Sequence, residues 1–189
     1  MTNRKTLTKK RRTLSPRQRQ RSATRAALSL PKLSKLLPKN AKIGIYADDF
    51  GELPTHPLVR WCIRHGYTPY LPVVFGRKLR FAPIFPKHSD RYYQYSLTKK
   101  RHRLGMNEPV SRKIVSAEAL DACFCPLVAV SKAGIRTGMG GGFYDYTLAN
   151  FQGIKIGWCY EFQVTDTLPK NPWDVRMDWV ISDKGSFKT

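Results

Sequence analysis

The sequence predicts an α/β sandwich built on a mostly parallel sheet. Three observations lead there. Short β-rich runs alternate with helical patterns along the chain. Hydrophobic residues make up 41% of the 189 residues, enough for one packed domain. No apolar run approaches the ~18–20 residues that span a bilayer, so no membrane partner is expected.

Taken in order, residues 14–37 read as one or two helices. Ser15 is a good N-cap ahead of Pro16 at the first helical position. Ala23, Ala26, Ala27 and Leu30 add a weak apolar stripe, which Pro31 and Pro38 interrupt. Residues 42–47 (KIGIYA) form a short buried strand ended by Asp48 and Asp49. Residues 57–66 form a helix with Leu58, Trp61, Cys62 and His65 on one side and Gly66 as its stop. Residues 67–75 and 79–85 are strands whose prolines predict edge or bulge positions. Residues 86–113 are basic and irregular, with Tyr92, Tyr93 and Tyr95 close together, a surface loop with a functional lip. Residues 119–130 read as one strand, 144–151 as a helix, and 154–160 and 179–182 as strands.

Charge is distributed unevenly. The chain has 34 Lys and Arg against 13 Asp and Glu, a net +21. Residues 1–47 hold 14 of the basic groups and no acid, Asp48 being the first carboxylate. An organellar transit peptide, a nucleic-acid-binding arm, and the first helix of an enzyme with polyanionic substrates all fit that pattern. No apolar signal-peptide segment follows the basic residues. Aromatics are not interleaved with the basic run, which counts against nucleic acid as a partner. Cys62, Cys123, Cys125 and Cys159 show no CxxC or zinc-finger spacing. In the run ACFCPLVAV, Cys123 and Cys125 point the same way from a strand and read as core.

The stretch PLVAVSKAGIRTGMGGGFYDYTL, residues 126–148, carries the chemistry. An apolar strand runs into Gly138, Gly140, Gly141 and Gly142, and a helix follows at once. Such a turn presents backbone N–H groups and a helix N-terminus to an anion. Asp145 can hold Mg²⁺ against bound phosphates, and Arg136 can pair with a phosphate oxygen. Neither common glycine fingerprint is present, because Phe143 follows Gly142 where a Walker loop needs Lys and where GxGxxG needs Gly. A glycine cluster before a helix also has a plain reading as a tight turn near a packing surface.

The string RTGMGGGFYD (136–145) after Pro-Leu-Val-Ala resembles the signature of the 5-formyltetrahydrofolate cyclo-ligase family. The basic segment ending in LSPRQRQ, the block IGIYADDFGELPTHPLV, Glu108-Pro109, and a distal segment with Gln163, Leu168-Pro169, Trp173-Asp174 and Asp178 follow the family order. The resemblance covers essentially the whole chain. It implies one cyclo-ligase domain over residues 1–189 with a basic helical segment at about 1–38. It implies a three-layer sandwich of the type shared with ribose-5-phosphate isomerase and CoA transferases. The implied activity is ATP-dependent conversion of 5-formyltetrahydrofolate into 5,10-methenyltetrahydrofolate, with Mg²⁺, ADP and phosphate.

Residue by residue, Gly138, Met139, Gly140, Gly141, Gly142, Phe143 and Tyr144 would wrap the ATP phosphates and reach the formyl end of the folate. Arg136 would steady phosphate oxygens, and Asp145 and Asp178 would ligate Mg²⁺. The catalytic set implied is Arg136, Tyr144 and Asp145. Glu52 would bond the pterin, with Ala47 in the pocket wall, and Arg4 would contact ATP, with Lys5 and Lys10 as alternates. Some family members carry Arg and Lys where this chain has Met139 and Gly141, so those phosphate contacts are missing here. A cytosolic monomer is expected, acting on mono- or polyglutamated folate, with no nucleic acid. Plainer uses remain open: Asp145 as a helix N-terminal acid, Asp178 as a strand-end residue, Glu108 as a turn before Pro109, and the four histidines as packed or solvated groups.

Overall fold

The structure is a computed structural model and describes residues 4–85, 99–101, 107–109, 111 and 113–189. Its helices are α1 (Arg4–Thr13), α2 (Pro16–Ala27), α3 (Leu30–Ser34), α4 (His56–Arg64) and α5 (Phe143–Leu148). The strands run β1 (Lys42–Gly44), β2 (Thr68–Phe75), β3 (Lys78–Pro83), β4 (Lys99–Arg101), β5 (Asn107–Pro109) and β6 (Ala122–Cys125). They continue with β7 (Ala129–Ser131), β8 (Arg136–Thr137), β9 (Ile154–Trp158), β10 (Val164–Thr165), β11 (Trp179–Ser182) and β12 (Gly185–Lys188).

The central sheet has the order β12-β11-β9-β6-β1-β2-β3. Its five inner strands are parallel, and β3 and β12 close the two edges as antiparallel hairpin partners. Strands of such a sheet are covered on both faces and read as continuous apolar runs. In β6 the alternation is explicit. Ala122 and Phe124 face the core beneath α2, α3 and α4. Cys123 and Cys125 face the opposite core with Leu148 of α5 and Phe151. Val180 and Ile181 divide in the same way along β11. Phe124 meets Trp61 and Trp158 edge-on at 6.1 and 6.0 Å, a preferred aromatic geometry. All four cysteines are buried and free, as expected of core thiols.

The capping reading at Ser15 is borne out: its side chain accepts from Gln18 N, and Gln18 reciprocates onto the Ser15 N–H. Ala23, Ala26 and Leu30 form the buried stripe. Two strand expectations need correction. First, residues 119–130 are not one strand. Pro126 has no N–H to donate, and the chain leaves the central sheet there, so β7 joins a separate sheet of order β10-β7-β8. Second, β2 is not an edge, since β1 and β3 flank it. Thr68 N and the Tyr70 carbonyl bond toward β1, so the Pro69 nitrogen points toward β3, where the ladder is ending. Pro72 lies beyond the last β1 partner of β2, Tyr70. Both prolines thus avoid a required donor site.

Helical periodicity reads nothing before Leu14, yet α1 occupies Arg4–Thr13. Its buried stripe is Leu7 and Arg11, one turn apart. Leu7 packs on Val128 and Ala129, beside the turn out of β6.

Candidate active site

Above the sheet lies a cleft of about 1620 Å³. Its walls gather Arg4, Ala47, Glu52, Arg136, Asp145, Asp178 and every residue from Gly138 to Tyr144. These come from separate elements: α1, the turn after β1, β8 and α5 with the turn between them, and the residue before β11. Lys5 lies outside this cleft, in a neighbouring hollow of about 470 Å³ shared with Arg4, Thr8, Lys9, Arg12 and Met139. Lys10 lines neither; its ammonium sits 4.5 Å over the Phe162 ring.

The glycine turn has the conformation its sequence demands. Gly140 and Gly142 have φ of 101° and 64°, regions that side chains disfavour, and Gly142 is the N-cap of α5. Helix α5 is only 6 residues long, so its dipole contributes little to an anion there. Cationic side chains supply the stronger field. Arg136 is buried, and its Nη2 donates to Asp145 Oδ1 at 2.9 Å. Asp145 Oδ1 also accepts from Val175 N at 3.3 Å, so this carboxylate ties the turn to the distal loop rather than capping its own helix. The Arg136 Nε is buried with no partner among the described residues.

Asp178 continues the β9–β11 ladder: its N–H donates to the Lys155 carbonyl, and its Oδ2 accepts from Lys155 N, both at 2.8 Å. Lys155 Nζ lies 3.0 Å from the same oxygen. The strand-end role and a place on the cleft wall therefore coincide. Lys155 was not singled out by sequence reading, though a lysine inside the apolar strand IKIGW was a usable signal. Glu108 also lines the cleft while its Oε1 accepts from Val74 N at 2.8 Å. Tyr144 buries a hydroxyl that has no partner among the described residues, and burial pushes its ionisation well above the ordinary phenol range.

Glu52 occupies a different kind of turn. Phe50 and Gly51 are both left-handed, with φ of 53° and 78°. A side chain at Gly51 would put its Cβ 2.8 Å from the Arg11 carbonyl of α1. Glu52 Oε2 accepts from Asp49 N at 3.2 Å, and Oε1 lies 3.7 Å from Arg11 Nη1. Burial pushes the Glu52 carboxyl up to about 7, with Arg11 pulling in the opposite direction. His56 bonds Gln20 at the surface, and the exposed His65 bonds the Trp61 carbonyl. Tyr92, Tyr93, Tyr95, His88 and His102 lie outside the described residues. So does most of the irregular segment 86–113.

Fold and cleft together define a class: an α/β sandwich whose glycine turn, buried arginine and two carboxylates open on one large hollow. The chain belongs to the 5-formyltetrahydrofolate cyclo-ligase family, whose sequence profile matches residues 1–183. The Escherichia coli K12 5-formyltetrahydrofolate cyclo-ligase is 32% identical over 146 residues, 74% of this chain and 76% of that protein. The Haemophilus influenzae 5-formyltetrahydrofolate cyclo-ligase is 34% identical over 142 residues, 71% of this chain and 72% of that protein. The NMR structure of Aquifex aeolicus 5,10-methenyltetrahydrofolate synthetase superposes with a TM-score of 0.77 at 29% identity, covering 98% of this chain and 90% of that one. The fold is also that of a Mycoplasma pneumoniae 5,10-methenyltetrahydrofolate synthetase, with TM-score 0.73, 23% identity and coverage of 95% and 96%. Among the described residues no helix is long and apolar enough to cross a membrane.

Proposed function

We propose that the cleft cyclises 5-formyltetrahydrofolate to 5,10-methenyltetrahydrofolate at the expense of ATP. The single observation that carries this reading is the convergence of phosphate-type and pterin-type groups on one hollow. Its volume of about 1620 Å³ exceeds the ~300–1,000 Å³ typical of a one-ligand pocket. It suits two substrates side by side.

A formamide carbon is a poor electrophile and its oxygen a poor leaving group. The formyl oxygen attacks the γ-phosphorus of ATP, the bond from γ-phosphorus to the bridging oxygen breaks, and ADP leaves. The resulting iminium phosphate is attacked at carbon by nitrogen 10, which then loses its proton, and inorganic phosphate departs as the five-membered ring closes. The protein's task is alignment and charge neutralisation. In this reading Arg4 and Arg136 meet phosphate oxygens, and backbone N–H groups of the 138–142 turn surround them. Tyr144 offers its unpartnered hydroxyl to the transferring group. Glu52 accepts the paired donors of the amino-pyrimidine edge, and Ala47 forms the adjoining wall.

Mg²⁺ fits the donor set. It needs only one or two carboxylates when phosphates and waters complete its shell. Asp145 and Asp178 supply two, and the hydrogen bonds found engage one oxygen of each. No group of three or more His, Cys, Asp or Glu placed to hold a metal ion is found among the described residues. Bound there, the ion would neutralise phosphate charge.

The reading takes residues 1–189 as one catalytic domain acting as a cytosolic monomer. The hollow lined by Arg4, Lys5, Lys9 and Arg12 adjoins the cleft and favours folates with glutamate tails. Purified protein mixed with MgATP and 5-formyltetrahydrofolate should release ADP as methenyl absorbance grows near the violet edge. Folded protein that gives neither product contradicts the proposal.

A further inference from the structure

Arg11 is 1% exposed, a rare state for an arginine, and taking a lone cation out of water costs several kcal/mol. Its compensation is incomplete by hydrogen bonds alone. Nη1 donates to the Leu127 carbonyl at 3.0 Å, while Nε and Nη2 are buried without partners among the described residues. The ion pair found for it is with Glu52, at 3.7 Å. Leu127 follows the proline at which the chain leaves the central sheet for β7, and both Leu127 and Glu52 line the cleft. The backbone of α1 at Arg11 is also what Gly51 packs against. One side chain thus bridges the β6–β7 connection and the turn that carries Glu52, two parts of the cleft wall.

We propose that Arg11 is a positioning residue for folate, holding the Glu52 carboxylate at the cleft wall and supplying its counter-charge. The inference rests on the reading of Glu52 as a pterin-binding group and deepens it. The charged and titratable groups around Glu52 are Arg11 from α1, Asp48 and Asp49 from its own turn, Tyr46 just past β1, Tyr144 from α5, and Tyr160, whose hydroxyl donates to the Glu52 carbonyl. Tyr46 and Tyr144 are held neutral by burial, and Asp48 and Asp49 oppose ionisation of Glu52. Arg11 is the cation among them. A neighbouring cation within ~4–6 Å lowers a carboxyl by roughly 1–3 pH units, so its loss raises the pH at which Glu52 can accept pterin donors.

The test is direct binding of 5-formyltetrahydrofolate, without ATP, by calorimetry from pH 5.5 to 9 on full-length variants whose folding is checked by thermal melts. Wild type should bind more tightly as pH rises through about 7, where Glu52 ionises. R11Q keeps a donor for the Leu127 carbonyl but removes the charge, and should move that midpoint upward by about one pH unit or more. R11K keeps the charge and should retain a midpoint near that of wild type. A folded R11Q whose binding weakens equally at all pH values, or R11K with the R11Q profile, would overturn the role of Arg11. E52Q separates the two levels of the argument: it should bind weakly with a flat profile. An E52Q variant with wild-type affinity and pH dependence overturns the reading of Glu52 itself.

Discussion

The turn at residues 138–142 carries its constraints within itself, whereas the turn at 48–53 borrows them from a helix at the other end of the chain. In the first, glycines take the left-handed positions and the Arg136–Asp145 pair closes the loop over nine residues. In the second, a phenylalanine stands at φ 53° and is held there by what lies outside: Arg12 over its ring at 5.8 Å, and α1 packed against Gly51. Non-glycine residues in that region cost about 1–2 kcal/mol and persist only where surroundings over-determine them. The difference teaches that the glycine turn is set by residues local in sequence, while the turn that carries Glu52 takes its shape only once α1 has docked.

Breaking the self-contained turn should have the largest effect on rate. Asp145→Asn removes a carboxylate from the phosphate site and the partner of buried Arg136. Steady-state assays should show kcat lower by about 10²–10³, with circular dichroism still native. Asp178→Asn should behave similarly, Lys155 being left with a weaker acceptor.

The borrowed turn is sharpened by pH. The Glu52 carboxyl is raised in the folded state to about 7 from an ordinary 4.5. A raised folded value means stability that is complete below about 4.5 and lost as pH rises through about 7. Denaturant titrations of wild type against Glu52→Gln should therefore show wild type losing on the order of 3 kcal/mol relative to the variant across that window. The same ionisation that folate requires is the one the fold resists.

A smaller effect is expected at Gly142. Alanine at φ 64°, with its Cβ 3.2 Å from the Tyr146 ring, should cost about 1–2 kcal/mol and raise the KM for ATP more than that for folate. Smallest is Arg12→Ala, which removes an exposed cation–π contact worth about 0.5–1 kcal/mol. A melt should register it as a slightly lower Tm, with folate KM rising and ATP KM unchanged.

The same contrast explains what could be read from the amino acids alone. The glycine turn, Asp145 and the alternating cysteines of β6 announce themselves because spacing of two and local turn chemistry are sequence-local properties. Pro126 was visible too, yet an apolar run on both sides of it reads as one strand until the sheet partners are known. Arg11 was illegible for another reason: it lies among Lys9, Lys10 and Arg12, and nothing in composition marks which of those cations is buried. Helix α1 itself went unread by periodicity because half of its buried stripe is that arginine. Ala47 and Glu52 came from resemblance to the family, not from any pattern of their own.

The central claim is that the formyl oxygen leaves as part of the phosphate. It is tested most directly by turning over 5-formyltetrahydrofolate labelled with oxygen-18 in the formyl group, with unlabelled MgATP in ordinary water. Mass spectrometry of the released inorganic phosphate should find one heavy oxygen per molecule of methenyl product. Unlabelled phosphate, with the heavy oxygen recovered in water, would contradict the account.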